Sequence, residues 1–214
     1  FQSLQTNFNQ GAGFGVLIEI IKLITDLAVE QDENYLIDKE LFSIVKENAK
    51  MAEMALITFA DIGQLMSHEM SFELLSYDDL YSIIENKIAE TIHLAEKDNY
   101  HVSISEKKKV LKDKKININI ENIKKVIHEV LVNTYKFSEP GSNILVITDL
   151  KDDAINIIVI NKPLKDEKDR IGIPMEYENL VFEPFFRLTK KVDEKYKTLN
   201  FGLGLTLVEK IISK

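Results

Sequence analysis

The chain has 214 residues, of which 45% are hydrophobic, and a formal net charge of −8. This length allows one large or two small domains with a real core, and the acidic balance argues against a nucleic-acid partner. The sequence has no cysteine, which excludes disulfides and thiolate metal sites and favours a cytoplasmic location. No apolar run is long enough to span a bilayer, so we expect no membrane contact by this fragment. Because the pattern is already under way at Phe1, we expect a longer parent protein that can hold a membrane anchor upstream.

The first third of the chain has the pattern of two long helices, separated by the polar stretch 30–34. Apolar residues recur at three- and four-residue steps in both. The first helix carries Leu17, Ile20, Ile21, Ile24, Leu27 and Ala28, and the second carries Leu41, Val45, Asn48, Ala52, Ala55, Phe59, Ile62 and Met66. The second set is a heptad seam with one polar position, Asn48, of the kind that fixes register or oligomeric state. Two such hairpins pairing as a four-helix bundle would bury both stripes, which predicts a homodimer; the alternative is an intramolecular helical pair that caps the next domain.

The rest of the chain alternates short strands with helices. Period-two alternation predicts strands at 72–75, 102–104, 116–118, 144–148 and 155–160. Helical periodicity predicts helices over 79–95, after Asn119, which we expect to cap that helix, and from Gly204 towards Ile212. This order predicts an α/β sandwich with a mixed sheet and helices on one face. The expected fold class is α+β, with a helical hairpin dimerisation domain over residues 1–70 and an α/β domain over residues 71–214.

Three polar side chains share a face of the helix that follows Asn119. Glu129 and Asn133 lie four residues apart, and Lys136 lies three residues further on. An asparagine carbonyl suits Mg²⁺, a lysine suits phosphate, and a glutamate can orient or deprotonate an attacking group. Taken alone, Glu-x-x-x-Asn is most often a solvated helix face, so this set needs support from other motifs.

A second motif lies near the C-terminus. The segment Phe201-Gly-Leu-Gly-Leu205 leads straight into the last predicted helix. Glycines let backbone N–H groups approach an anion, and the helix start adds partial positive charge, so such a turn is a phosphate cradle. The run Val181-Phe-Glu-Pro-Phe-Phe-Arg187 precedes it across a lysine-rich gap.

Together these segments resemble a known series of motifs. Glu129-Val-Leu-Val-Asn133-Thr-Tyr-Lys136-Phe-Ser138 resembles the N box of histidine kinases and of the wider ATPase superfamily that includes gyrase, Hsp90 and MutL. Val159-Ile-Asn161 with Gly172-Ile-Pro174 resembles the first glycine box, residues 182–187 resemble the F box, and Gly202-Leu-Gly204-Leu resembles the second glycine box. The resemblance covers roughly residues 72 to 214, and it implies that the α/β domain is an ATPase domain of the histidine kinase type.

The resemblance implies an ATP and Mg²⁺ site. Asn133 would hold Mg²⁺, Glu129 would be the base-like catalytic residue, and Lys136 would lie near phosphate. The other residues that the resemblance implies would contact the base or the phosphates. Asn161 stands where an Asp accepts a hydrogen bond from the adenine amino group, Gly172 would lie beside the adenine, and residues 188–201 would form an ATP lid with Gly202 and Gly204 at its hinge and phosphate end.

The sequence departs from the family at several of these positions. Asn161 keeps a carbonyl acceptor but has lost the charge, and a charge-assisted hydrogen bond is roughly twice as strong as a neutral one, so weaker nucleotide binding is expected. Pro163 stands where the first glycine of its box belongs, extra residues precede Gly172, and Asn200 replaces the leading glycine of the second box.

The helical hairpin resembles the family's dimerisation and phosphotransfer hairpin in shape, but it lacks the phosphoacceptor histidine. Gln10 lies near that position, and the first histidine is His68, which we interpret as a linker residue. We therefore expect a two-component histidine kinase core with a degraded phosphoacceptor box. It would pass phosphoryl groups from Mg-ATP to a histidine and serve a response regulator receiver domain in a phosphorelay. The alternative is a pseudokinase-like regulatory dimer that binds a response regulator or kinase partner without self-phosphorylation.

Overall fold

The computed structural model describes residues 14–67, 71–165, 171–188 and 202–214. The chain divides into two compact units. The first, called here the hairpin unit, comprises Phe1–Met66 and Met175–Leu207, and the second, called the sheet unit, comprises Ser67–Pro174 and Val208–Lys214.

The hairpin unit is built on two helices, α1 (Phe14–Leu27) and α2 (Lys39–Ser67). Their connection forms a small antiparallel pair, β1 (Val29–Gln31) and β2 (Asn34–Leu36), with Asp32 at positive φ in the turn. The sequence predicted only a polar break here, because three-residue strands are too short to show alternation. Asp38 then caps α2, since its Oδ1 accepts hydrogen bonds from the N–H groups of Glu40 and Leu41 at 2.8 and 3.1 Å.

The predicted heptad seam is the less exposed side of α2. Ala52, Ala55 and Ile62 are buried, and Leu41, Val45 and Asn48 are half-buried. The Asn48 amide donates to the Ile44 carbonyl one turn back, so it is satisfied within its own helix. A second group of apolar side chains on the same helix is exposed, and it comprises Phe42, Ile44, Met54, Leu56, Ile57 and Phe59. Phe59 belongs to both groups, since it lies on the predicted seam and is 41% exposed.

The sheet unit contains the elements that the sequence predicted, with small shifts of their ends. In chain order these are β3 (Glu73–Ser76), α3 (Tyr77–Ala95), β4 (His101–Ile104), β5 (Lys115–Ile118), α4 (Ile120–Phe137), β6 (Asn143–Lys151) and β7 (Ala154–Ile160). β3 pairs with β5, and a three-stranded sheet has the order β4-β6-β7. β4 runs parallel to β6 and β7 antiparallel to it, which confirms the predicted mixed sheet.

The core of the sheet unit lies between the two helices and the sheet. Its fully buried large side chains are Tyr77, Leu80, Ile84, Leu111, Leu131, Tyr135, Ile144 and Val146. Buried hydroxyls are paired across it, with Tyr77 and Thr148 2.7 Å apart and Thr91 and Tyr135 3.1 Å apart. These bonds tie α3 to β6 and to α4, so the packing that orients α4 is held by polar as well as apolar contacts.

The last helix, α5, spans Gly204–Ile212. This matches the predicted tail helix. Its first residues belong to the hairpin unit and its last ones to the sheet unit.

Candidate functional site

Helix α4 carries the three polar residues singled out in the sequence. Asn119 caps the helix as predicted, because its Oδ1 accepts from the Asn122 N–H at 2.9 Å. The buried side of the helix consists of Val126, Ile127, Leu131, Val132, Thr134 and Tyr135. Glu129, Asn133 and Lys136 are all half-buried on the adjoining face. Charged side chains are almost never fully buried unless they are paired, so half-burial keeps these groups open to a ligand while part of each side chain is withdrawn from water.

The Glu129 carboxyl has the electrostatics of a group held back from solvent. Burial raises its pKa, and the nearby positive charges of His128 and Lys136 lower it in part. Within the described ranges, neither this carboxylate nor the Asn133 amide makes a side-chain hydrogen bond to the protein. A carboxyl with a raised pKa and open acceptor sites can take a proton from an attacking group.

Asn161 follows the end of β7 and lies against the C-terminal end of α4. Its Nδ2 lies 2.8 Å from the Oγ of Ser138. The Ser138 hydroxyl in turn lies 2.5 Å from the Thr134 carbonyl. A carbonyl only accepts, so the single hydroxyl hydrogen of Ser138 is committed to Thr134. Ser138 must therefore accept from the Asn161 amide, which leaves the Asn161 Oδ1 directed away from it as an acceptor.

The chain beyond Asn161 is tied to the end of α4 by backbone pairing. Glu139 donates to the Lys162 carbonyl at 2.9 Å and Leu164 donates to the Phe137 carbonyl at 2.8 Å. Pro163 lies opposite Ser138 at the position between these two bonds. A residue there does not use its N–H in the pairing, so proline replaces the family's glycine without losing a hydrogen bond.

Gly172 directly follows Ile171, which forms an isolated antiparallel β-bridge with Lys165. Its φ is +76°, and no atom of the described residues lies within 4 Å of the position that a Cβ would take. Glycine is therefore required there by backbone conformation and not by lack of space.

Gly202 and Gly204 belong to the hairpin unit. Gly202 has a φ of +71°, and a Cβ there would lie 2.3 Å from the Phe186 carbonyl oxygen. Phe185 donates to the Gly202 carbonyl at 3.0 Å and packs its ring 5.5 Å from that of Phe59. The F box and the second glycine box thus meet backbone to backbone, and Gly204 begins α5.

Several predicted features fall outside the described residues. They are Gln10, His68, Asn200 and residues 189–201 of the proposed lid. Some residues that the sequence analysis gave no role have unusual polar surroundings. One is Ser138, and the others are Ser105, Ser142 and Thr206, whose hydroxyls are buried without a hydrogen-bond partner among the described residues. The signal for Ser138 was its place at the end of the N box, whereas buried hydroxyls of this kind cannot be recognised from spacing.

The residues present fit a nucleotide and its metal. The Asn161 Oδ1 provides one oriented acceptor, and Glu129 and Asn133 provide oxygen atoms that have no hydrogen-bond partner among the described residues. In the described part of the chain no three acidic or histidine side chains cluster as a metal site. A magnesium ion would therefore need phosphate oxygens in addition to Asn133, as expected for a nucleotide-bound metal.

Comparison with known proteins finds one matching family and several similar structures. Residues 118–214 match the family described as histidine kinase-, DNA gyrase B-, and HSP90-like ATPase. The chain is similar over 99% of its length to 85% of the Acinetobacter baumannii histidine kinase AdeS, with a TM-score of 0.63 and 14% identity. It is similar over 67% of its length to 82% of the catalytic domain of histidine kinase ThkA, with a TM-score of 0.52 and 21% identity. A third similarity covers 99% of this chain and 39% of full-length ShkA, solved with AMPPNP, at a TM-score of 0.60 and 11% identity.

Residues 118–214 thus match the ATPase family of histidine kinases, gyrase and HSP90, and the chain has the fold of histidine kinase cores. No curated protein sequence matches it. Across the described ranges, none of the helices has both the length and the apolar character needed to cross a membrane.

Proposed function

We propose that the chain is the core of a two-component histidine kinase that binds Mg-ATP and transfers its γ-phosphoryl group to a histidine. The observation that carries this proposal is the half-buried polar face of α4, where Glu129, Asn133 and Lys136 lie together in a domain of the ATPase family. The ATPase domain would extend over residues 71–214 and the dimerisation domain over residues 1–70.

Each residue has a role that follows from its chemistry. The Asn133 carbonyl would hold Mg²⁺, which when bound offsets charge on the phosphate oxygens. Lys136 would neutralise phosphate charge, and Asn161 and Gly172 would contact the adenine. Gly202 and Gly204 would offer backbone N–H groups to a phosphate.

Phosphoryl transfer would form a bond between the γ-phosphorus and an imidazole nitrogen of the acceptor. The bond between the γ-phosphorus and the β,γ-bridging oxygen would break, and its electron pair would stay on that oxygen as ADP leaves. Glu129, with its pKa raised by burial, would orient the imidazole and take its proton. The acceptor would be His68 or a histidine of a partner or of another domain.

The exposed apolar side chains of α2 support a homodimer. Four of them are between 46% and 57% exposed in the single chain, namely Phe42, Ile44, Leu56 and Ile57. A second hairpin packed on this surface would form the proposed four-helix bundle. The dimer would act in the cytoplasm on a response regulator receiver domain.

The test is calorimetric titration of the purified chain with ATP in the presence of Mg²⁺, followed by incubation with labelled ATP. We expect binding in the wild type and its loss in Asn133→Ala. The exposed Asn117 of β5 provides a matched control, and Asn117→Ala should bind normally. An absence of ATP binding by the wild type would contradict the proposal.

A second candidate function is the pseudokinase-like regulatory dimer, which the neutral amide at Asn161 favours because it weakens recognition of the adenine. Labelling separates the two functions. Acid-labile, base-stable phosphate on this chain or on a histidine partner supports the kinase. ATP binding without any transferred label supports the regulator.

A further inference from the structure

Ser138 is held on three sides at the end of α4. It is 2% exposed. Its carbonyl accepts from the Tyr100 hydroxyl at 2.8 Å, and its Oγ donates to Thr134 and accepts from Asn161. The last of these bonds holds the side chain of Asn161, so Ser138 constrains the residue proposed to contact the adenine.

We propose that Ser138 is a positioning residue that determines base specificity. It holds the Nδ2 of Asn161, so that the Oδ1 is the atom available to the base. The site would then bind 6-amino purine nucleotides in preference to 6-oxo purine nucleotides. This inference rests on the proposed nucleotide-binding function and assigns a role that the ATPase motifs leave open.

The need for such a residue follows from the chemistry of an amide. Adenine presents an N–H donor at its 6-position, whereas a 6-oxo purine presents an acceptor there. A carboxylate can only accept and so rejects the oxo group. The amide of Asn161 could donate to it after a half-turn about its last bond. Replacing the family's aspartate by asparagine therefore removes discrimination unless something fixes the amide.

Ser138 fixes it because the hydrogen of its hydroxyl is not available to Asn161. Helix α4 ends at Phe137, so the Thr134 carbonyl is one of the last four that lack a partner within the helix. That carbonyl takes the Ser138 hydrogen at 2.5 Å. A reversed Asn161 amide would place its oxygen against the lone pairs of the Ser138 oxygen, which is repulsive.

The sharpest probe is a pair of nucleotides that differ at the 6-position and its neighbouring nitrogen. ATP and inosine triphosphate, each with Mg²⁺, fulfil this requirement without the extra amino group of GTP. In calorimetric titrations we expect the wild type to prefer ATP. In Ser138→Ala we expect the ratio of the two affinities to fall by about tenfold, mainly because inosine triphosphate binds better.

A control variant separates this role from a general loss of stability. Thr148→Val removes another fully buried hydroxyl of the sheet unit, the one 2.7 Å from the Tyr77 hydroxyl. It should destabilise the fold to a similar degree and leave the ATP preference unchanged. A lowered preference in Thr148→Val would contradict the specific role of Ser138.

Replacing the amide provides a rescue experiment. In Asn161→Asp both side-chain oxygens accept, so orientation no longer matters. We expect this variant to prefer ATP, and we expect the double variant with Ser138→Ala to keep that preference. A preference that falls equally with aspartate or asparagine at position 161 would overturn the proposal.

A measurement without nucleotide decides the orientation separately. In ¹⁵N-edited NMR spectra, the side-chain amide protons of Asn161 should exchange slowly in the wild type and faster in Ser138→Ala; equal exchange would overturn the proposal. A wild type that binds neither nucleotide contradicts the proposed function itself. Binding with an ATP preference that survives in Ser138→Ala contradicts only the role of Ser138.

Discussion

The two long amphipathic helices α2 and α4 differ in how far their apolar side chains are buried within the chain. Helix α4 buries its apolar side within the sheet unit, where Leu131 and Tyr135 are almost inaccessible to solvent. Helix α2 leaves large apolar side chains open, such as Leu56 at 55% and Phe42 at 56% exposure. Most polar residues of α4 are at least half-buried, whereas those of α2 are mostly exposed.

This difference indicates a division of labour between the units. The apolar contacts of the sheet unit are made within one chain, so its polar face can be held rigidly enough for a site. The hairpin unit has an apolar surface that a second copy would cover. Substitutions in the two units should therefore change different observables, and the following predictions test this from the largest expected effect to the smallest.

The largest effect is expected from Gly202→Ala in the hairpin unit. Its Cβ would meet the Phe186 carbonyl oxygen at 2.3 Å, in a backbone of φ +71°. Overpacking and left-handed backbone strain together should lower the free energy of unfolding by roughly 3–5 kcal/mol. The control is Gly172→Ala in the sheet unit, which has the same sign of φ but open space around it, and strain alone should lower its stability by roughly 1–2 kcal/mol. Urea unfolding followed by circular dichroism measures both, and equal losses would contradict the role given to the Phe186 contact.

The next effect concerns association through α2. Leu56→Glu places a charge on the exposed apolar surface, and the proposed dimer would lose two buried leucines, weakening association by about 3 kcal/mol or more. Leu74→Glu is the matched control, since Leu74 is a 67% exposed leucine of the sheet unit. Sedimentation over a range of concentrations should show the wild type and Leu74→Glu as dimers and Leu56→Glu shifted to monomer. A wild type that is monomeric throughout would contradict the division of labour.

A smaller effect is expected from the buried carboxyl of α4. Burial raises the pKa of Glu129, so the folded chain binds more protons than the unfolded chain between the two pKa values. Stability should therefore fall as pH rises through this window, by about 1.4 kcal/mol for each pKa unit. Glu129→Gln should be more stable than the wild type at neutral pH and should lose this advantage below the ordinary glutamate pKa.

Glu121 on the same helix provides a control of opposite sign. Its hydrogen bond to Lys124 lowers its pKa, so its contribution is present above the ordinary glutamate pKa and is lost as pH falls through the lowered one. Glu121→Gln should therefore not stabilise the chain at neutral pH. Urea titrations at several pH values compare the two variants, and stabilisation by both would show that burial of Glu129 is not the cause.

Local patterns predicted the regular elements well because their information lies within a few residues. The cap at Asn119 and the bounds of the helix that begins at Gly204 are confirmed by the structure. The bond between Ser138 and Asn161 joins residues 23 apart, and periodicity holds no information about such contacts. The same limit applies to the backbone contact of Gly202 with Phe186, whose cause is the path of two distant segments.

The roles of Glu129, Asn133 and Lys136 stay predictions, since the sequence could place them on one helix face but not show a nucleotide there. What the structure adds is their half-buried state. The degree to which these three side chains are buried depends on how α3 and the sheet pack around α4. That packing is set by many side chains outside the motif.

The smallest predicted effect compares the caps of the same two helices. Asp38 caps α2 with a carboxylate alone, whereas Asn119 caps α4 and also donates from Nδ2 to the Ser71 carbonyl at 2.9 Å. Asp38→Ala should lower stability by about 1 kcal/mol, the usual value for a lost cap. Asn119→Ala should lower it by about 1 kcal/mol more, because a second hydrogen bond is lost. Asn119→Asp keeps the capping oxygen and removes the donor, so in urea unfolding it should lose only the second contribution; a loss as large as that of Asn119→Ala would mean that the bond to Ser71, and not the cap, holds the start of α4.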